Sequence, residues 1–210
     1  IANIENSFLG KLKDKPATLV TCIRGKPILS PEPIHCSQVG TMLAEIHKAG
    51  LSYDGFLTNP TGKAWCRSVF TRISPFLSSE AKQLLKSEIE FQSQFDYYKL
   101  PQGVIHGDLF IDNIFFNKDK LSGVIDFYFA ANDIFMYEIA ICINALCFDY
   151  KNKKFVMNKQ KINKLIKGYE SVKKISLKEK KSLNILCRGA AMRYLLTRLY
   201  DYSNTPSTAL

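Results

Sequence analysis

The spacing of apolar positions predicts that this chain is mainly helical. Val39, Leu43 and Ile46 recur at i, i+4 and i+7 and predict a helix over residues 35–49, with Gly50 suited to its C-terminal end. Similar stripes predict further helices at about residues 65–73, 78–95, 133–148, 158–174 and 177–202.

Polar residues at two of these helix starts have the chemistry of caps. Ser78 is predicted to cap the third helix. Ser176 is followed three positions later by Glu179, which predicts a capping box at the start of the last helix.

Short apolar runs predict strands in two parts of the chain. Residues 8–12 and 16–23 flank a turn and predict a hairpin. Residues 104–116 read as an apolar run, a polar loop and a second apolar run, and a turn at 117–120 leads to a third run at 121–127. This pattern predicts a strand, a loop and a second hairpin. The residues that follow, 127–132, are predicted to form a loop.

Three polar residues stand out in this second region. Asn113 lies five positions after Asp108 (113 − 108), and Asp126 lies thirteen positions after Asn113 (126 − 113). A hairpin between Asn113 and Asp126 would return both residues to the same end of a sheet. Two oxygen ligands and one free carboxylate would then share one opening.

Such a set of residues has the chemistry that phosphoryl transfer requires. Transfer needs a divalent metal across the phosphates and a base that orients the attacking hydroxyl, and magnesium prefers oxygen ligands. The order H-x-D-x-x-x-x-N followed by D-F matches the catalytic and metal motifs of kinases. We therefore predict Asp108 as the base, Asn113 and Asp126 as Mg²⁺ ligands, and ATP as the donor. The alternative is a hairpin whose loop carboxylates only cap turns.

Departures from the protein-kinase pattern point to a particular superfamily. Gly107 stands where protein kinases usually carry arginine, and Asp126 is followed by Phe-Tyr rather than Phe-Gly. Both features resemble the aminoglycoside phosphotransferase and choline kinase superfamily. Within that superfamily, residues 104–113 and 123–130 look most like the bacterial homoserine kinases. Further segments that resemble them are residues 15–20, 35–50 and 188–199.

The resemblance implies a fold and a division of the chain. The implied fold class is α+β: the mainly helical large lobe of a protein-kinase-like fold, with the last strands of the small lobe. Residues 1–23 would be those strands, residues 24–34 the hinge, and residues 35–210 the large lobe with the catalytic loop and substrate site. The chain opens with Ile1, and no small-lobe lysine or phosphate-covering loop is identifiable. We therefore expect further polypeptide before it in the full protein.

The resemblance also implies an activity, ATP-dependent phosphorylation of the side-chain hydroxyl of L-homoserine in threonine biosynthesis. Alternatives are another small alcohol, such as choline or an aminoglycoside, or a non-catalytic kinase-like binding module. The resemblance implies nucleotide binding at the hinge by Thr21, Cys22 and Ile23. It implies substrate binding by Tyr128 and Arg193. It implies structural support of the site by His106 and Asp133.

Two of these residues have competing interpretations. The simplest interpretation of Asp133 is an N-cap of the following helix, and the resemblance adds a role in holding the catalytic loop. Arg188, Arg193 and Arg198 recur every five residues, a net turn of roughly 140° along a helix, so at most one or two can face the cleft. Because a homoserine carboxylate requires a cation, Arg193 is kept as its candidate partner.

Composition narrows the remaining possibilities. The chain has 210 residues, 46% of them hydrophobic, and a net charge of +10. The positive charge either attracts nucleotide phosphates or nucleic acid, or is a solvated lysine-rich surface. The latter is favoured because basic residues concentrate at 151–181, away from the motifs, without interleaved aromatics. We predict no nucleic-acid partner and leave the oligomeric state open.

Cysteine and histidine usage suggests an intracellular protein without a metal–thiolate site. The six cysteines include no C-x-x-C pair, and Cys142 and Cys147 lie in an apolar helical stretch, so buried free thiols are predicted. No apolar run approaches membrane-spanning length. We therefore predict a cytoplasmic protein that binds no membrane. His35 and His47 are predicted to lie at the surface or core edge.

Overall fold

The computed structural model of this chain describes residue 1, residues 6–96 and residues 99–205. Within these residues the α-helices are α1 (Pro33–Ala49), α2 (Lys63–Ile73), α3 (Ser79–Ser93), α4 (Phe135–Leu146), α5 (Lys159–Glu170) and α6 (Leu177–Asn204). The strands are β1 (Gly10–Leu12), β2 (Lys15–Ala17), β3 (Gln102–Ile105), β4 (Ile114–Asn117), β5 (Lys120–Val124), β6 (Ala131–Ile134), β7 (Phe148–Lys151) and β8 (Lys154–Met157).

The predicted helices are present, and both predicted caps form. The Ser78 hydroxyl accepts a hydrogen bond from the Ala81 N–H. Ser176 and Glu179 form the reciprocal capping box at the start of α6. These starts were predictable because a cap depends on residues that are adjacent in sequence.

The predicted start of α4 is wrong. Residues 131–134 form β6, which pairs antiparallel with β3 so that Gly103 lies opposite Asp133 and Ile105 opposite Ala131. The helix therefore begins at Phe135, with Ile134 as its N-cap residue and no side-chain cap. Asp133 is a strand residue, and its predicted N-cap role is incorrect. The pairing depends on a partner some thirty positions away, which local pattern does not reveal.

The hairpin that carries the candidate chemistry forms as predicted. Strands β4 and β5 pair with Ile114 opposite Val124 and Asn117 opposite Lys120. Beyond the strands, the Ile125 N–H donates to the Asn113 carbonyl oxygen at 3.1 Å. The residues before β4 and after β5 are therefore held together at one end of the hairpin.

The N-terminal hairpin is shorter than predicted. Strands β1 and β2 pair as expected, but β2 ends at Ala17 rather than near residue 23. Farther along, Lys26 and Phe116 exchange backbone hydrogen bonds of 3.0 and 2.9 Å. Gly25 permits this approach, because its φ is +107° and a Cβ there would lie 2.2 Å from the Phe116 carbonyl oxygen. The predicted hinge segment thus lies against β4.

The second half contains a hairpin that was not predicted. Strands β7 and β8 pair antiparallel, with Phe148 opposite Met157 and Lys151 opposite Lys154. Asn152 and Lys153 make the turn with positive φ. The sequence signal is incomplete, because β7 alternates apolar and polar residues over only four positions and β8 has three consecutive apolar residues with no alternation.

The core is built around α4, as its apolar sequence predicts. Residues 139–143 are at most 2% exposed, and they pack with buried residues of α1, α5 and α6. A smaller cluster joins α2, α3 and α6. Cys142 and Cys147 are buried free thiols, as predicted, and burial raises the pKa of Cys142.

Helices α1 and α5 approach each other at two glycines. A Cβ on Gly40 would lie 2.0 Å from the Leu165 carbonyl oxygen, and one on Gly168 would lie 2.0 Å from the Ser37 carbonyl oxygen. The two backbones are therefore in direct contact. Both α1 histidines are buried, contrary to prediction: His35 is 4% exposed and His47 0%. Among the described residues, no helix is long and apolar enough to span a membrane.

Candidate active site

We call the segment of residues 106–113, which connects β3 to β4, the catalytic loop after its predicted role. Gly107 has φ +79°, and a Cβ at this position would lie 2.5 Å from the Phe129 carbonyl oxygen. An L-side chain is therefore excluded by both conformation and space. The catalytic loop therefore lies close to residues 127–129, which directly follow Asp126 in the chain.

Asp108 contacts two adjacent residues of α6 through one carboxylate oxygen. The Tyr194 hydroxyl donates to Asp108 Oδ1 at 2.9 Å, and an Arg193 guanidinium nitrogen lies 3.6 Å from the same oxygen. Burial raises the pKa of Tyr194, which keeps its hydroxyl protonated as a donor. The Asp108 side chain remains 22% exposed, so a small alcohol can reach it.

Asn113 has its amide group oriented by the same loop. Its Nδ2 donates to the Asp108 carbonyl oxygen at 2.8 Å and lies 3.5 Å from Asp108 Oδ2. Because the NH₂ end is committed to these oxygens, the amide oxygen points elsewhere. It is the atom left for a cation.

Asp126 follows β5 in an unusual conformation. Its φ of 68° and ψ of 63° place it in the left-handed region, which Asp tolerates better than most residues. The preceding Ile125 N–H is bonded to Asn113. The hairpin therefore returns Asp126 to the end of the sheet that carries Asn113, the geometry that the spacing predicted.

His106 links the two halves of the site. Its Nε2 lies 2.9 Å from the Ile125 carbonyl oxygen, and its Nδ1 accepts from the Asp108 N–H at 3.3 Å. Its ring packs on Phe127 with centroids 4.4 Å apart. The residue is fully buried and contacts the backbone on both sides of the opening, at Asp108 and just before Asp126.

Glu138 contacts the catalytic loop but was missed in the sequence. Its Oε1 accepts the Gly107 N–H at 2.6 Å, and its Oε2 lies 2.9 Å from His47 Nε2. The available signal was the single acidic residue in a largely apolar, buried helix, because a buried carboxylate requires polar partners. The resemblance attached the role of holding the loop to Asp133, five positions earlier.

In the part of the chain that the structure describes, a series of side chains connects Asp133 to Asp108. Its Oδ2 accepts from Asn59 Nδ2 at 2.6 Å, and Asn59 Oδ1 accepts from the Thr61 hydroxyl at 3.0 Å. Thr61 Oγ1 accepts from Arg193 Nε at 3.0 Å, and Arg193 lies beside Asp108. Burial raises the pKa of Asp133, and the Asn59 hydrogen bond acts in the opposite direction.

The two predicted substrate residues lie in different surroundings. Arg193 is 3% exposed and packs on the rings of Phe129 and Tyr194, at 5.1 and 4.2 Å from their centroids. It also lines a cavity of about 420 Å³ between the 56–66 segment, β6 and α6. Tyr128, in contrast, is 93% exposed. Of the other arginines, Arg188 pairs with Glu88 on the surface.

The three predicted hinge residues lie outside this cluster. Thr21 and Cys22 are exposed, whereas Ile23 is half-buried. A Cβ at Gly123 would lie 2.7 Å from Ile23 Cδ1, so Ile23 packs against β5. Their nucleotide-binding role stays a prediction.

Comparison with known proteins identifies similar sequences. A profile of the phosphotransferase enzyme family matches residues 4–157. The homoserine kinase of Sinorhizobium fredii is 41% identical over 210 residues, an alignment that covers 98% of this chain and 63% of that protein. The homoserine kinase of Methylobacillus flagellatus is 36% identical over 96% of this chain and 62% of its own length. The chain thus spans somewhat less than two thirds of these relatives.

Solved structures confirm the predicted protein-kinase-like fold. Amicoumacin kinase hAmiN, in complex with AMP-PNP, Ca²⁺ and Ami, superposes with a TM-score of 0.66 at 12% identity, covering 99% of this chain and 65% of that one. The choline kinase of Cryptosporidium parvum gives a TM-score of 0.64 at 14% identity, covering 85% and 63%. At such low identity the likeness concerns the fold alone.

Proposed function

The chain belongs to the phosphotransferase enzyme family, and from that premise we propose that its full-length protein is an ATP- and Mg²⁺-dependent cytoplasmic homoserine kinase. One observation supports this proposal: Asn113 hydrogen-bonds to Asp108 within the catalytic loop, and the β4–β5 hairpin holds the residue before Asp126 against the backbone of Asn113. The acceptor is inferred from the relatives named homoserine kinase, at 36–41% identity over most of this chain.

Asp108 is the base that orients the acceptor hydroxyl. Its carboxylate is partly accessible, and Tyr194 and Arg193 hold one of its oxygens. The second oxygen lies toward Asn113, at 3.5 Å from its amide nitrogen. A hydroxyl that donates to this carboxylate would be aligned before transfer, which lowers the barrier by positioning rather than by covalent chemistry.

Asn113 and Asp126 fit a magnesium ion by their chemistry. The amide oxygen of Asn113 is the end left free by the Asp108 hydrogen bond, and Asp126 supplies a carboxylate. The described residues contain no group of three or more His, Cys, Asp or Glu able to hold a metal by themselves. Nucleotide phosphates and water would complete the coordination, as is usual for Mg²⁺. The bound ion would neutralise charge on the transferring phosphoryl group.

Arg193 is the cation proposed for the acceptor carboxylate. Its guanidinium adjoins both Asp108 and the 420 Å³ cavity, so an acceptor spanning them would have its hydroxyl and carboxylate a few ångströms apart. Homoserine has that separation of functional groups. Tyr128 is proposed to cover the acceptor, since its exposed ring lies just after Asp126.

A panel of acceptors tests this assignment. ATP-dependent ADP release should be measured for the full-length protein with homoserine, choline and an aminoglycoside. Homoserine should give the highest kcat/KM, and Asp108→Asn should lower turnover by about 10²-fold or more, as expected for loss of a general base. Preference for choline or the aminoglycoside would refute the acceptor. Absence of turnover with every alcohol would favour a binding module.

A further inference from the structure

A buried series of hydrogen bonds runs from the catalytic loop through α4 and α1 to helix α5. Glu138 Oε1 accepts the Gly107 N–H, and Glu138 Oε2 lies 2.9 Å from His47 Nε2. The other ring nitrogen, Nδ1, lies 2.9 Å from the Tyr169 hydroxyl. Glu138 and His47 are 0% exposed and Tyr169 1%. We call Tyr169, His47 and Glu138 the relay.

The direction of each hydrogen bond follows from the protons available. Burial raises the pKa of Tyr169, so its hydroxyl stays protonated. Among the described residues its hydroxyl has no hydrogen-bond partner other than His47 Nδ1, so Tyr169 is assigned as donor to that nitrogen. His47 then carries its proton on Nε2 and donates to Glu138. The carboxylate thus receives two donors, one from His47 and one from the catalytic loop.

The surroundings leave the relay little freedom to move. The His47 ring stacks on Phe135 with centroids 4.4 Å apart and an interplanar angle of 27°. The glycine contacts at Gly40 and Gly168 keep α1 and α5 in backbone contact. A displacement of Tyr169 would therefore displace His47 and, through it, Glu138, because the three side chains are packed and hydrogen-bonded to one another.

We propose that His47 and Tyr169 are positioning residues for phosphoryl transfer, acting through Glu138 on the loop residue next to Asp108. This inference rests on the proposed function. Without its donor from His47, the buried Glu138 carboxylate would retain one protein donor and would seek others. Any resulting shift of Gly107 moves Asp108, and a displacement of about 1 Å at a reacting group is enough to lower a rate by 10²-fold.

Tyr169→Phe is the least disruptive test, because it removes one hydroxyl and keeps the ring. Thr41→Val is a matched control, since the Thr41 hydroxyl donates to the Gly168 carbonyl oxygen across the same α1–α5 interface but outside the relay. In the full-length protein, Tyr169→Phe should lower kcat about tenfold with KM for Mg-ATP unchanged, and Thr41→Val should leave kcat at the wild-type value. His47→Gln, which retains an N–H donor, should keep more activity than His47→Leu.

A double-mutant cycle separates positioning from general damage. In an Asp108→Asn background, Tyr169→Phe should change the residual rate by less than about twofold, because the group it positions is already disabled. A tenfold loss in that background, or equal losses from Tyr169→Phe and Thr41→Val, would overturn the proposal.

A second readout does not depend on activity. Exchange of the Gly107 amide hydrogen should be faster in Tyr169→Phe than in wild type and unchanged in Thr41→Val. If wild type failed to phosphorylate homoserine, the proposed function would be refuted. The exchange rate of the Gly107 amide hydrogen in Tyr169→Phe would still test whether the relay holds the catalytic loop. Unchanged Gly107 exchange in Tyr169→Phe would reject the relay even in an active kinase.

Discussion

Replacing Gly107 with alanine perturbs the catalytic loop at its most constrained point. With φ at +79°, the added Cβ would lie 2.5 Å from the Phe129 carbonyl oxygen and 3.3 Å from its carbon. An ordinary carbon–oxygen contact is about 3.3 Å, so the backbones must separate by roughly 0.8 Å. The clash is between the Cβ fixed to the backbone of residue 107 and the backbone carbonyl of Phe129, so no change of side-chain rotamer can relieve it.

The expected loss of stability has two parts. Left-handed backbone costs an L-residue about 1–2 kcal/mol. Loss of the hydrogen bond from the Gly107 N–H to the Glu138 carboxylate removes about 1.5–3 kcal/mol. The free energy of unfolding should therefore fall by about 2.5–5 kcal/mol. Because the shift is comparable to 1 Å beside Asp108, kcat should fall by about 10²-fold.

Urea unfolding and steady-state kinetics on the full-length protein measure both effects. Gly10→Ala is a suitable control, since its Cβ would lie 3.8 Å from the Ala17 carbonyl oxygen, an ordinary contact. That variant should stay within about 0.5 kcal/mol of wild type. If Gly107→Ala unfolded with the wild-type free energy and kept the wild-type kcat, the close approach of Gly107 to Phe129 would be refuted.

Three further predictions concern separate features. Asp126→Ala should abolish metal-dependent nucleotide binding without unfolding the protein, and calorimetry showing unchanged Mg-ATP affinity would contradict the metal assignment. Hydrogen bonds from Lys161 and then Asn158 lower the pKa of Asp149 to about 2. Its contribution to stability is present while the carboxylate is ionised. The deficit of Asp149→Asn in chemical unfolding at pH 7 should therefore shrink below about pH 4 and vanish below about pH 2. Ser176→Ala should lower unfolding free energy by about 1 kcal/mol with kcat unchanged, and loss of kcat would implicate the α6 start in catalysis.

Features that depend on nearby residues were determined by the sequence itself. The α6 capping box involves Ser176 and Glu179, three positions apart, and it forms as predicted. The β4–β5 hairpin follows from two apolar runs and a turn, and its pairing returns Asp126 toward Asn113. The return of Asp126 toward Asn113 could therefore be predicted from the sequence without knowledge of the tertiary packing.

Only the tertiary structure decided which distant residues complete the site. Arg193 and Tyr194 reach Asp108 from α6, and Glu138 reaches Gly107 from α4. The resemblance assigned the loop-holding role to Asp133, and local pattern could not point to Glu138 instead because it carries no information on which segment packs beside the catalytic loop.

The burial of His47 and the formation of strand β6 both depend on partners that are distant in sequence. His47 is polar in sequence and fits a helix surface, yet α5 and Glu138 enclose it. Residues 131–134 lack a strong strand pattern and become a strand because β3 lies beside them. In both cases a long-range partner satisfies polar groups that the sequence alone would leave to solvent.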